Sequence, residues 1–112
     1  MRLLLRTANS ARSLLAAPQF HPDFVGLLPD AADLLVRHGV ALIGIDYLSI
    51  EPYEQSIGSA PVHRRLLAAG IAIVEGIDLR QVAAGWYELI VLPLRLPGAE
   101  ASPVRALLRP LI

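Results

Sequence analysis

Two short apolar runs organise the chain. Residues 40–45 (Val-Ala-Leu-Ile-Gly-Ile) follow Gly39 and end on Asp46, and residues 71–74 (Ile-Ala-Ile-Val) follow Gly70 and end on Glu75. A continuous apolar run of this length between turn signals reads as a strand buried on both faces. The segments before them carry helical spacing. Pro29 opens the first helix, Asp30 and Asp33 complement its positive end, Leu34, Leu35 and His38 continue it, and Gly39 provides a left-handed stop. In the second, Ser59 is the expected N-cap, Pro61 sits in the first turn, and Gly70 ends the helix. His63 shares a face there with Leu66, Leu67 and Gly70, while Arg64, Arg65 and Ala68 point elsewhere.

The remainder is read on the same terms. Residues 2–6 form a leucine-rich strand. Residues 7–27 are mostly loop, with turn signals at Asn9-Ser10, Pro18 and His21-Pro22-Asp23, and residues 47–58 are a long loop. Asp78 is expected to cap a short helix through Ala83, residues 86–92 to form a third buried strand, and residues 104–108 a last one. Strands alternating with helices predict an α/β fold with a largely parallel sheet flanked by helices.

Composition narrows the function classes. The 112 residues suffice for one small domain, and 10 basic residues balance 10 acidic ones. Neither a nucleic-acid partner nor an acidic tail is indicated. The absence of cysteine removes disulfides, thiolate catalysis and cysteine-type zinc sites, and favours a cytoplasmic location. Apolar residues make up 54% of the chain, and mean hydropathy is +0.52. No apolar run approaches the roughly 18 residues a membrane span needs. The excess therefore predicts an apolar surface that another chain or segment covers. The arginines at positions 6 and 12 break any secretory apolar stretch near the N-terminus.

The order of elements also predicts where the polar chemistry gathers. Between parallel strands a helix begins at the edge where the preceding strand ends. Asp46, His63 and Glu75 should therefore all reach the carboxyl edge of the sheet, where open α/β folds bind ligands. His63 could donate a ring N–H to Glu75, or both could bind one cation. The bland reading stands beside that one, because a lone histidine on an apolar helix face is more often a hydrogen-bonded core residue, and an acid after a strand is more often a turn former. Two ligands also fall short of the three a catalytic zinc site takes. His21 lies in a loop turn and His38 in a last helical turn, so neither supplies the third. Ser59, Ser102 and Asp46 with His63 could be drawn as a triad, but no G-x-S-x-G elbow exists.

The phrases Leu4-Leu5-Arg6-Thr7-x-Asn9-Ser10, Gly44-Ile45-Asp46-x-Leu48-Ser49-Ile50, Pro61-Val62-His63-x-x-Leu66-Leu67, Ile73-Val74-Glu75 and Ser102-Pro103-Val104-Arg105-Ala106 occur in that order. Together they resemble the C-terminal half of the cyclase-family hydrolases, which include kynurenine formamidase (arylformamidase) and isatin hydrolase. The resemblance implies a partial swivelling β/β/α-type fold and a metal-dependent hydrolase of an amide or lactam bond. Zinc or manganese is the implied divalent metal, and a homo-oligomer or a complementary N-terminal chain the implied partner. It implies further that His63 and Glu75, 12 residues apart, are metal ligands. The family's motif H-x-G-T-H-x-D-x-P-x-H, which should supply the other ligands and the general base, does not occur in this sequence. Catalytic residues are therefore unassigned, and the chain is expected to be inactive alone. Asp46 is expected to hold loop structure. The rival expectation is a non-catalytic interaction or oligomerisation protein, or a degenerate fragment, on the same scaffold.

Overall fold

The computed structural model describes residues 1–111. These divide into two compact units, one from Met1 to Gln81 and one from Val82 onward.

The first unit is built on a three-stranded parallel sheet in the order β1 (Arg2–Leu5), β2 (Leu42–Ile45), β3 (Ala72–Val74). Leu3 pairs with Ile43 and Leu5 with Ile45, while Ile43 pairs in turn with Ile73. The chain between β1 and β2 holds α1 (Ala8–Ala11), a 3-10 turn at Leu14–Ala16, and α2 (Pro29–Arg37). Between β2 and β3 lie α3 (Tyr53–Ser56) and α4 (Pro61–Ala68). The helices α2 and α4 pack on each other, with Arg65 Nε 3.0 Å from Asp33 Oδ1 across their outer side.

Their inner sides meet the odd-numbered residues of the sheet. Ile43 and Ile45 of β2 are fully buried in one cluster with Ala32, Val40, Ile50, Val62, Leu66 and Ile71. Apart from Ala32, each of these side chains contributes about 1.5–3 kcal/mol through its removal from water. The inward stripe of α4 is thus Val62 and Leu66. Leu67, expected inside with His63, is 59% exposed, and His63 flanks the stripe rather than centring it.

Both long helices stop in the same way. Gly39 and Gly70 have φ of 61° and 73°. The amide of Val40 donates to Leu35 O and that of Gly39 to Val36 O, while Ile71 donates to Leu66 O and Gly70 to Leu67 O. These are the paired bonds of a Schellman motif. They turn each helix directly into the next strand, and they are why the two Gly-apolar-acid phrases lead to adjacent parallel strands.

Further sequence expectations are corrected. Ser59 does not cap α4; the N-cap is Ala60, in the left-handed region at φ 46° and with no side-chain cap. Residues 78–83 form no helix. The Asp78 carboxylate instead accepts from the Arg80 amide and guanidinium, a local bond that competes with a cap. Residues 86–92 do not join the parallel sheet. They belong to the second unit, an antiparallel ribbon of β4 (Tyr87–Pro93) and β5 (Val104–Pro110). Its register places Glu88, Ile90 and Leu92 beside Arg109, Leu107 and Arg105 on one face. The other face, from Tyr87, Leu89, Val91 and Pro93 with their partners, is wholly apolar. Trp86, expected as core or sheet, is 80% exposed.

Candidate functional site

The carboxyl edge of the parallel sheet carries two separate polar clusters, and the three residues expected to converge there are divided between them. Asp46, which follows β2, turns toward the segment after β1. Its carboxylate accepts from the Thr7 amide and hydroxyl, both at 2.7 Å, from the Ser10 amide at 3.1 Å and hydroxyl at 2.6 Å, and from Asn9 Nδ2 at 3.4 Å. Burial pushes its carboxyl up, and the hydrogen bonds from Ser10 and Thr7 outweigh that to leave it lowered. Every contact is to a donor of α1 or of Thr7, its N-cap. Asp46 ties β1 to β2 and has no part in the histidine cluster.

His63 and Glu75 do meet. His63 Nε2 lies 3.0 Å from Glu75 Oε1, and the two side chains are 27% and 32% exposed. The other ring nitrogen, Nδ1, is 2.5 Å from Oε1 of Glu51, whose side chain is wholly buried. Glu51 lies within the long loop of residues 47–58 and is not among the site residues that the sequence indicates. No periodicity marks it. It lies ten residues before Pro61, and Ser59 already offers that helix a cap in the sequence.

The position of Glu51 follows from the donors of α4. Pro61 opens the helix and has no N–H. The next two amides, of Val62 and His63, point at Glu51 Oε2 and Oε1 at 3.0 and 3.4 Å. The following amide, of Arg64, is the first to find a helical acceptor, Ala60 O. One buried carboxylate therefore satisfies the donors that the helix leaves open. The preceding residue acts on the second acid: the Ile50 amide donates to Glu75 Oε1 at 2.7 Å. Ile50 and Glu51, consecutive in the chain, thus hold Glu75 and His63 respectively. The loop is itself anchored through Leu27 N to Ile50 O at 2.7 Å and Gly76 N to Tyr47 O at 2.7 Å.

Electrostatically the cluster favours a cation. Burial pulls the His63 imidazole down, but the hydrogen bond to Glu51 and the charge of Glu75 outweigh it, and its pKa is raised above the ordinary 6.5. With the ring neutral, two carboxylates face it uncompensated. An imidazole nitrogen and a carboxylate oxygen are the donor types zinc and manganese take. Two atoms each about 2.0–2.2 Å from one ion stand about 3–3.5 Å apart, and the Nε2–Oε1 separation of 3.0 Å matches that. The pair offers two ligand-type atoms, at a separation that a hydrogen bond between them also gives. Among the described residues no group of three or more histidine, cysteine or acidic side chains is placed to hold an ion.

The other residues weighed from sequence lie elsewhere. The His21 amide donates to the Tyr47 hydroxyl at 2.9 Å, inside a cluster where Phe24 and Tyr47 rings are 4.8 Å apart. His38 is the exposed C-cap residue of α2. The Ser102 hydroxyl donates to Pro103 O, and Ser59 is exposed. No helix among the described residues is long and apolar enough to cross a membrane.

No family model matches the chain. Solved structures do. One is a potential metal-dependent hydrolase with cyclase activity, 36% identical, with a TM-score of 0.83 over 96% of this chain and 49% of its own. Another is a predicted metal-dependent hydrolase from Bacillus stearothermophilus, also 36% identical, with a TM-score of 0.82 over 96% of this chain and 48% of its own. The chain spans about half the length of these structures. Agreement of backbone and sequence over nearly the whole chain gives it the α/β fold of the cyclase-type metal-dependent hydrolases.

Proposed function

We propose that this chain contributes His63 and Glu75 to the divalent metal site of a hydrolase that opens an amide or lactam C–N bond, with arylformamidase-like substrates. The observation that carries the reading is the paired placement of His63 Nε2 and Glu75 Oε1, two ligand atoms on one edge of a fold shared with metal-dependent hydrolases. The remaining ligands and the general base belong to a complementary half, which the resemblance identifies with the histidine-rich N-terminal motif.

Within that reading the residues of this chain have separable tasks. When bound, zinc or manganese supplies a Lewis acid that activates water and polarises the substrate carbonyl. His63 and Glu75 would hold the ion. The Ile50 amide fixes the Glu75 oxygen, and Glu51 fixes the ring of His63. Asp46 keeps β1 and β2 in register beneath the site and carries no proton for the reaction.

The test is complementation. The chain is mixed with a polypeptide bearing H-x-G-T-H-x-D-x-P-x-H, with zinc or manganese, and assayed on an N-formyl aryl amine. Activity from the mixture that neither component shows alone, and that His63→Ala abolishes, is expected. Strong activity from the chain alone, or none from any mixture that forms a complex, overturns the reading.

A second reading is a non-catalytic interaction protein. It is supported by the polar-edged face of the ribbon, where Leu92 is 58% and Leu107 49% exposed, and by Trp86. It predicts a discrete oligomer by light scattering that His63→Ala leaves unchanged.

A further inference from the structure

Glu51 is placed to decide which nitrogen of His63 carries the proton. Its carboxylate is fully buried, and its two oxygens already receive the Val62 and His63 amides. Nδ1 of His63 sits against Oε1 of that same carboxylate. A neutral imidazole has one N–H and one bare lone pair. If the lone pair were on Nδ1, it would face a buried negative oxygen with no water to intervene, and the low local dielectric makes that repulsion large. If the lone pair is on Nε2, it faces Glu75, whose side chain is one-third exposed and whose charge water screens. The two carboxylates differ in burial, and that difference selects the proton position.

We infer that Glu51 is a positioning residue that holds neutral His63 as its Nδ1–H tautomer, so that Nε2 is presented, beside Glu75 Oε1, as the ligand atom. The tautomer follows from the Glu51 geometry alone; its use toward a cation rests on the proposed metal site. A buried carboxylate behind a ligating histidine is a common way to orient the ring and raise its basicity. Here the same carboxylate also secures the first turn of α4. The helix that carries His63 and the ring itself are therefore set by one group.

The experiment is a two-bond proton–nitrogen correlation on the ¹⁵N-labelled 112-residue chain, at a pH where the neutral ring predominates. Protonated Nδ1 and bare Nε2 are expected for His63. The Nε2–H form in the wild-type chain overturns the inference without any variant being made. In Glu51→Gln the carboxamide oxygen can still accept from α4, but its NH2 group donates toward Nδ1, so the proton should move to Nε2. Glu51→Asp, which keeps the charge, should retain the Nδ1–H form. A role confined to capping the helix predicts the same tautomer in wild type and Glu51→Gln, and that result also overturns the inference. Should Glu51→Gln not fold, the wild-type and Glu51→Asp spectra decide.

Zinc alone is then added to the wild-type chain and to Glu51→Gln. It is expected to shift Nε2 in the wild type and to bind about 10–100-fold more weakly to Glu51→Gln. An Nδ1–H ring whose Nε2 ignores zinc supports the tautomer assignment and leaves the metal reading to the complementation assay. An Nε2–H ring in a chain that binds zinc at Glu75 overturns the assignment and leaves the metal reading standing.

Discussion

A β-carbon at Gly26 would lie 2.7 Å from the carbonyl carbon of Glu51 and 2.7 Å from Pro52 N. Backbone atoms set that limit, and no side chain can swing aside to relieve it. The adjoining amide, of Leu27, donates to Ile50 O at 2.7 Å, so residues 26 and 27 form the floor on which the Ile50–Glu51 pair rests. Gly26→Ala is therefore expected to act on the site from behind it. Forcing the Glu51 backbone outward should cost about 1–3 kcal/mol by thermal or denaturant unfolding. It should also change the ring signals of His63, with which residue 26 shares no hydrogen bond. A Gly26→Ala chain of wild-type stability with an unchanged His63 spectrum would show that Glu51 is not held from this side.

Asp46 makes an acid-dependent contribution to stability, and its sign is fixed by the direction of its shift. Its carboxyl lies below the ordinary 3.8 in the folded chain. The group therefore adds stability that is fully present above about pH 4 and is lost as pH falls through the lowered value. Asp46→Asn removes the charge and turns an NH2 group toward the Thr7 and Ser10 donors. A loss of about 2–4 kcal/mol near neutral pH is expected. Denaturant titrations between pH 2 and 7 should show the gap between the two chains closing at the acid end. A gap that is constant with pH would mean the charge of Asp46 is irrelevant to its hydrogen bonds.

What the sequence disclosed and what it hid divide along a physical line. The Schellman stops at Gly39 and Gly70, the parallel pairing of β2 with β3, and the meeting of His63 with Glu75 all follow from short-range signals: a helix period, a glycine, a strand end. Glu51 was hidden because it caps a helix that starts ten residues later, across a loop with no period of its own. Ser59 satisfied the composition of an N-cap, yet a buried carboxylate in reach of Val62 and His63 displaced it and left Ala60 at the cap. The Trp86–Leu92 run was misplaced because a continuous apolar strand looks alike in a parallel sheet and in a ribbon. The better signal lay in its partner, where Arg105 and Arg109 alternate with Ala106 and Leu108. Asp46, expected beside His63 and Glu75, instead bonds to Thr7 and Ser10, which follow β1, and those partners could be known only from the fold.

Neighbouring positions on α4 should give opposite results. Leu66 is fully buried in the cluster under the sheet, and Leu66→Ala should cost about 2–5 kcal/mol from lost burial and the cavity left. Arg65 faces outward. Its pair with Asp33 at 3.0 Å has side chains 43% and 48% exposed, so Arg65→Ala should change stability by less than about 1 kcal/mol. Equal losses from the two substitutions in denaturant unfolding would mean that α4 is rotated from the orientation described.

The ligand pair is best tested by asking whether its two members act on one ion. In Glu75→Gln the amide oxygen can still accept from Ile50 N, so the loop after β2 keeps its anchor and stability should change by less than about 1 kcal/mol. The charge beside His63 Nε2 is gone, and zinc affinity measured by titration should fall at least about tenfold. His63→Ala should produce a loss at least as large. If both atoms bind the same ion, the double variant should be scarcely worse than the poorer single one, because removing either ligand already abandons the site. Additive losses would place the two residues at separate ions, and unchanged affinity in Glu75→Gln would leave the His63–Glu75 contact as a hydrogen bond between a helix and a strand end with no metal role.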